Sequence, residues 1–82
     1  MTGIRIDYTH HAVREMRKAR ITRQTVRLVI QRGRREQQVY RTSGELGWVS
    51  TLRVENVTVA AVWVKRKSRF VVVTVYRPGE YD

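Results

Sequence analysis

The hydrophobic period of this chain changes once, near Arg34, and that change decides its fold class. Before it, apolar residues recur three and four positions apart, as on one face of a helix; after it they alternate, as on a strand. One such switch in 82 residues predicts two helices followed by strands, an α+β domain spanning residues 1–82. The first helix is expected over residues 9–19. Thr9 suits the N-cap, with Tyr8 and Val13 placed as a hydrophobic staple. The second is expected over residues 23–32, behind Thr22 as N-cap and an Ile21–Val26 staple. Its inward side would be Val26, Val29 and Ile30, and Gly33 a left-handed C-terminal cap. Strands are expected over residues 35–41, 46–54, 57–65 and 69–77, with turns at 42–44, Glu55-Asn56 and Lys67-Ser68. The expected architecture is two N-terminal helices packed on a four-stranded antiparallel meander. Alternation over residues 3–8 admits a short N-terminal edge strand.

The turns fix which strand residues share a face. Pairing Val54 with Val57 and Arg66 with Arg69 puts Trp48, Ser50, Leu52, Val59, Ala61, Trp63, Phe70, Val72, Thr74 and Tyr76 on one side. The other side carries Val49, Thr51, Ala60, Val62, Val64, Val71, Val73 and Val75. Both sides are substantially apolar, and two short helices can cover only one. The second is then curled, capped by the termini or used as a contact surface, for which a homodimer is one use. Trp48 and Trp63 fall opposite each other, where core packing is the simpler role than base stacking.

Charge sets the class of partner. Seventeen Lys and Arg against seven Asp and Glu give a net charge of +10. Most of the cations are arginine, which pairs bidentately with phosphate and stacks on bases. A small domain this basic is expected to meet a polyanion, RNA or another nucleic acid first. An acidic protein or an anionic surface is the alternative. The hydrophobic share of 41% argues against disorder, and the absence of cysteine excludes disulfides and thiolate metal sites. No apolar run approaches the roughly 18 residues of a membrane span. A cytoplasmic protein without membrane contact is expected.

Several side chains suit chemistry. On the first helix Ala12, Met16 and Ala19 form an apolar stripe, His10, Arg14 and Arg17 a basic one, and His11, Glu15 and Lys18 a third. Imidazole is a common general acid or base, and neighbouring guanidinium groups can hold a phosphate beside it. A histidine near a helix start can equally be a cap or a surface residue. His10 and His11 project about 100° apart on a helix and few carboxylates lie near, so no metal or other cofactor is expected. Arg20, Arg23 and Arg27 continue the basic surface. Lys65, Arg66, Lys67 and Arg69 crowd a hairpin tip that could grip a nucleic-acid backbone or merely discourage edge aggregation. Thr74 and Tyr76 close the last strand, where both residue types also serve simple packing.

The motif His11-Ala12-x-x-x-Met16, the helix opened by Ile21-Thr22 and ended at Gly33, and the closing Thr74-Val75-Tyr76 resemble an uncharacterised family of small bacterial and phage domains. Its marks are a histidine-led "HA…RM…RGI" helix and a final "TVY" strand. The resemblance runs from about Tyr8 to Pro78. It implies kinship with RelE-like and colicin-like (barnase–EndoU–colicin–RelE) ribonuclease toxins. The implied activity is metal-free cleavage of tRNA or mRNA by attack of the 2′-hydroxyl. His11 is then the motif histidine, with Thr74 and Tyr76 as the final-strand polar pair. His10 is the alternative acid–base group, and Arg14 and Arg17 stabilise the transition state. An acidic antitoxin or immunity protein is the implied partner. The chain departs from the pattern at Glu15, where arginine precedes methionine, and at Ala19-Arg20, where Arg-Gly precedes isoleucine. Arg14, Arg17 or Arg20 would have to replace the missing arginine. A non-catalytic RNA- or DNA-binding module, or a small phage protein gripping an acidic partner, remains the other reading.

Overall fold

The computed structural model describes residues 5–39 and 46–79. In order they form β1 (Ile6–Tyr8), α1 (His10–Ala19), α2 (Arg23–Arg32), β2 (Arg34–Val39), β3 (Leu46–Val54), β4 (Val57–Arg66) and β5 (Arg69–Tyr76). The sheet has five strands in the order β1-β5-β4-β3-β2. The expected meander is present as β2 to β5, all antiparallel. The short edge strand that residues 3–8 admit is present as β1, which makes the sheet five-stranded and runs parallel to β5 with Ile6 opposite Phe70 and Tyr8 opposite Val72. A parallel partner some sixty residues away has no connecting turn, so local pattern cannot announce it. The expected strand end at 40–41, the turn at 42–44 and residues 3–4 lie outside the described residues.

Thr9 joins β1, α1 and β5. Its backbone N–H donates to the Val72 carbonyl at 3.0 Å, and its hydroxyl donates to the Val73 carbonyl at 2.9 Å. The same hydroxyl accepts from the Ala12 N–H at 3.1 Å, capping α1 as expected. Thr22 caps α2 in the same way, accepting from Thr25 at 3.2 Å. The left-handed cap occurs at the end of α1, not of α2. Arg20 has φ 57° and ψ 42°, and the Ile21 N–H returns to the Met16 carbonyl at 2.9 Å, closing a Schellman-type turn. Gly33 is extended, with φ −74°. It is needed for space: a β-carbon there would run into the Val29 carbonyl and lie 2.8 Å from the Thr51 carbonyl oxygen. The Glu55-Asn56 hairpin has both residues at positive φ, 49° and 70°, which suits the right-handed twist of the flanking strands.

Both helices lie on one face of the sheet. Ala12 and Met16 of α1, with Val26, Val29 and Ile30 of α2, pack on Val59, Ala61, Trp63, Val72 and Val75. Trp63 is the centre: it stacks on Trp48 at 5.1 Å, meets Phe70 at 4.7 Å, and donates its indole N–H to the buried Ser50 hydroxyl at 2.8 Å. The opposite face carries a smaller cluster of Val49, Ala60 and Val62, with Val73 against it.

A bulge in β5 overturns part of the expected face assignment. Trp63 pairs with Val72 while Val62 pairs with Thr74, leaving Val73 as the extra residue. Every side chain after it changes sides. Val75, opposite Ala61, joins the helix-covered core; Thr74 and Tyr76, opposite Val62 and Ala60, stand on the other face. Among the described residues no helix is long and apolar enough to cross a membrane.

Candidate nucleic-acid interface

With Ala12 and Met16 turned into the core, the remaining stripes of α1 flank it in solvent. His10, His11, Arg14, Arg17 and Lys18 are all exposed. Glu15 is half-buried and pairs with Lys18 at 3.4 Å. Arg17 and Lys18 sit in the last turn, where cations complement the helix carbonyls.

Arg20 stands where three depressions meet. The first, of about 460 Å³, lies between α1 and the end of β5 and is lined by Glu15, Lys18, Arg20, Tyr76 and Arg77 among others. The second lies between the helices, with Arg17, Arg20, Thr22 and Arg23 on its walls. The third is bordered by Arg20, Thr25, Glu55 and Arg77. Cations from α1, from the start of α2 and from the chain just past β5 therefore converge on one corner. The Arg77 guanidinium donates to the Ala19 carbonyl and so ties β5 to the end of α1. Arg20 holds a left-handed backbone there, a conformation that costs an L-residue about 1–2 kcal/mol and that glycine adopts freely.

Neither His10 nor His11 lines these depressions. His11 begins the stripe that continues to Glu15 and Lys18, one turn before the first depression. Thr74 is half-buried on the sheet face away from the helices. Tyr76, 39% exposed, roots on that same face and forms the rim of the α1–β5 depression. One depression thus holds Tyr76 with Lys18 and Arg20, and none of the histidines, Arg14 and Thr74 lines it. Glu15 and Arg77 are the additions that sequence reasoning missed. Glu15 was visible as a stripe residue and a departure from a motif, and Arg77 as the last residue of the expected strand.

Arg23 and Arg27 of α2 surround Tyr8. The Arg23 guanidinium lies 4.9 Å from the ring centroid, and the phenol donates to the Arg23 carbonyl at 3.5 Å. Burial raises the phenol's pKa above its ordinary value of 10.0, against the opposing pull of Arg23 and Arg27.

A second cationic corner lies at the β4–β5 hairpin. Lys65, Arg66, Lys67 and Arg69 are exposed around the turn, and Lys67 has φ 52°. Arg5, just before β1, closes a 500 Å³ depression with Arg66, Lys67, Ser68 and Arg69. Among the described residues no group of three or more His, Asp and Glu is placed to hold a metal ion.

Fold and surface together define a small α+β domain whose helical face and one hairpin are lined with arginine. The chain belongs to the family described as Domain of unknown function (DUF4258), whose model matches residues 8–77. That span takes in both helices and the whole β2–β5 meander. No match is found among curated proteins or among solved structures.

Proposed function

We propose that the protein binds nucleic acid, RNA foremost, by its backbone phosphates, with the corner around Arg20 as the principal contact. The observation that carries this reading is the convergence of Arg17, Lys18, Arg20, Arg23 and Arg77 on three adjoining depressions. Shallow cationic hollows suit a backbone that is gripped along its length, and the net charge of +10 supplies long-range attraction. A strained, left-handed arginine at the junction supports a functional corner, since a glycine there would relieve the backbone.

A second reading is RNA cleavage, in keeping with the RelE-like and colicin-like kinship that the sequence resemblance implies. The shared lining of one depression by Glu15, Lys18, Arg20, Tyr76 and Arg77 favours it. In that reading Glu15 accepts the 2′-hydroxyl proton as the oxygen attacks phosphorus. The bond from phosphorus to the 5′-oxygen breaks, Tyr76 gives that oxygen a proton, and a 2′,3′-cyclic phosphate remains. Lys18, Arg20 and Arg77 stabilise the added charge. His11, one turn before Glu15, is the alternative base.

One experiment addresses both readings. Wild type, Arg20→Gly, Tyr76→Phe, Glu15→Gln and His11→Ala are incubated with single-stranded and structured RNA over a salt series. Arg20→Gly keeps a backbone-compatible residue, so it is expected to fold, to bind more weakly on every sequence, and to lower the salt slope by about 1. Affinity that is independent of salt and of Arg20 refutes the first reading. Cyclic-phosphate product that disappears in Tyr76→Phe or Glu15→Gln establishes the second, and intact RNA with every variant removes it.

A further inference from the structure

The parallel pairing of β1 with β5 places together two arginines that are far apart in sequence. The Phe70 N–H donates to the Arg5 carbonyl at 2.9 Å, which fixes the chain at Arg5 beside the start of β5. Asp7, on β1, lies between the two guanidinium groups. Its carboxylate accepts from Arg69 at 2.7 Å and lies 3.7 Å from Arg5. Both arginines, with Lys67 and the Ser68 residue of the tip, line the 500 Å³ depression at the hairpin. We infer that this is a built phosphate site: Asp7 orients Arg5 and Arg69, and the pair, helped by Lys67, takes one phosphate group.

The charge arithmetic permits it. Arg5, Arg66, Lys67 and Arg69 bring four positive charges against one carboxylate, so the hollow stays cationic after Asp7 is satisfied. Arg69 spends one N–H on Asp7 and keeps the rest of its five donors for a ligand. Fixing a guanidinium against a carboxylate also lowers the ordering cost of binding, the usual gain from preorganisation. The exposed ion pairs contribute little stability of their own, being screened by solvent. Arg5 and Asp7 lie just outside the family match over residues 8–77, and Lys67, Ser68 and Arg69 lie within it. Resting on the nucleic-acid reading above, the occupant is a backbone phosphodiester, held at a second point away from Arg20.

The test separates a built site from general positive charge. Isotope-labelled protein is titrated with inorganic pyrophosphate, and separately with a single-stranded RNA, while backbone amides and arginine side-chain signals are followed by NMR. Expected are saturable shifts at Arg5 and Arg69 with both probes, and affinity at least threefold weaker in Arg5→Gln and Arg69→Gln. Arg53→Gln, at the opposite hairpin, is expected to match wild type. The decisive variant is Asp7→Ala, with Asp7→Asn as its milder form. Both raise the net charge from +10 to +11, so a diffuse charge effect demands equal or tighter binding, whereas a positioned pair demands weaker binding. Equal or tighter pyrophosphate binding in both Asp7 variants overturns the site. RNA binding without pyrophosphate shifts at Arg5 and Arg69 overturns it too and leaves the nucleic-acid reading standing. Site-specific pyrophosphate binding without RNA affinity upholds the phosphate site and overturns the nucleic-acid reading.

Discussion

Substituting Ser50 with alanine removes a single hydroxyl from the centre of the core. Ser50 is fully buried, and the Trp63 indole N–H that it receives at 2.8 Å belongs to a ring only 2% exposed. The indole is stacked on Trp48, edged by Phe70 and overlaid by Arg35 at 5.2 Å, so it cannot swing out to find water. A buried donor left without an acceptor costs about 1–3 kcal/mol, more than the net worth of the bond itself. For a chain of this size each kcal/mol lowers the melting temperature by about 4–8 °C, so Ser50→Ala should melt at least about 4 °C lower. Urea unfolding followed by tryptophan fluorescence gives the free energy, and Trp48 keeps the signal alive in a Trp63→Phe background. In that background the donor is gone, and Ser50→Ala should then cost little or nothing. The two sites should therefore couple by at least about 0.5 kcal/mol. Equal losses in both backgrounds, or a loss below about 0.5 kcal/mol in wild type, would mean that the indole N–H is satisfied in some other way.

Two further predictions rest on single contacts. Gly33→Ala should destabilise by about 1–3 kcal/mol through overpacking, although the extended backbone at Gly33 suits alanine, because its β-carbon meets the Val29 and Thr51 carbonyls; an unchanged denaturation midpoint would contradict this. Tyr8 keeps its proton more tightly in the folded state than in the unfolded one, so its contribution is complete below about pH 10 and is lost as pH rises through the raised folded value. Urea midpoints at pH 9 and pH 11 should accordingly converge in Tyr8→Phe, and a fall on alkalinisation as large as that of wild type would count against the burial of the phenol.

The helices were legible because their signals are local. Thr9 and Thr22 act as caps, and the inward sets are those that helical spacing selects. The Val54–Val57 and Arg66–Arg69 hairpins were legible for the same reason, since a two-residue turn fixes register by itself. The left-handed cap was expected at a glycine and occurs at Arg20. Local chemistry favours Gly33, but Gly33 is consumed by a close approach to β3, while α1 has to turn sharply to start α2. The bulge at Val73 left no mark either. In a run of three valines no residue differs in size or polarity from its neighbours, so nothing in the string says where the alternation breaks. That one residue decided the fate of the candidate site, because it set Thr74 and Tyr76 apart from α1's inward face. The corner at Arg20 was legible only as a surplus of charge. Its assembly from Glu15, Lys18 and Arg77 depends on how α1 lies along β5, which spacing cannot supply.

The parallel pairing of β1 with β5 also has a meaning in time. Ile6, Asp7 and Tyr8 are made some sixty residues before Phe70, Val71 and Val72, yet have no sheet partner until those residues exist. Contacts of such long range are the slowest to form. β1 must therefore wait, without its β5 partner, until Phe70, Val71 and Val72 have been synthesised. The hollow framed by Arg5 and Arg69 can be assembled only once that pairing has formed.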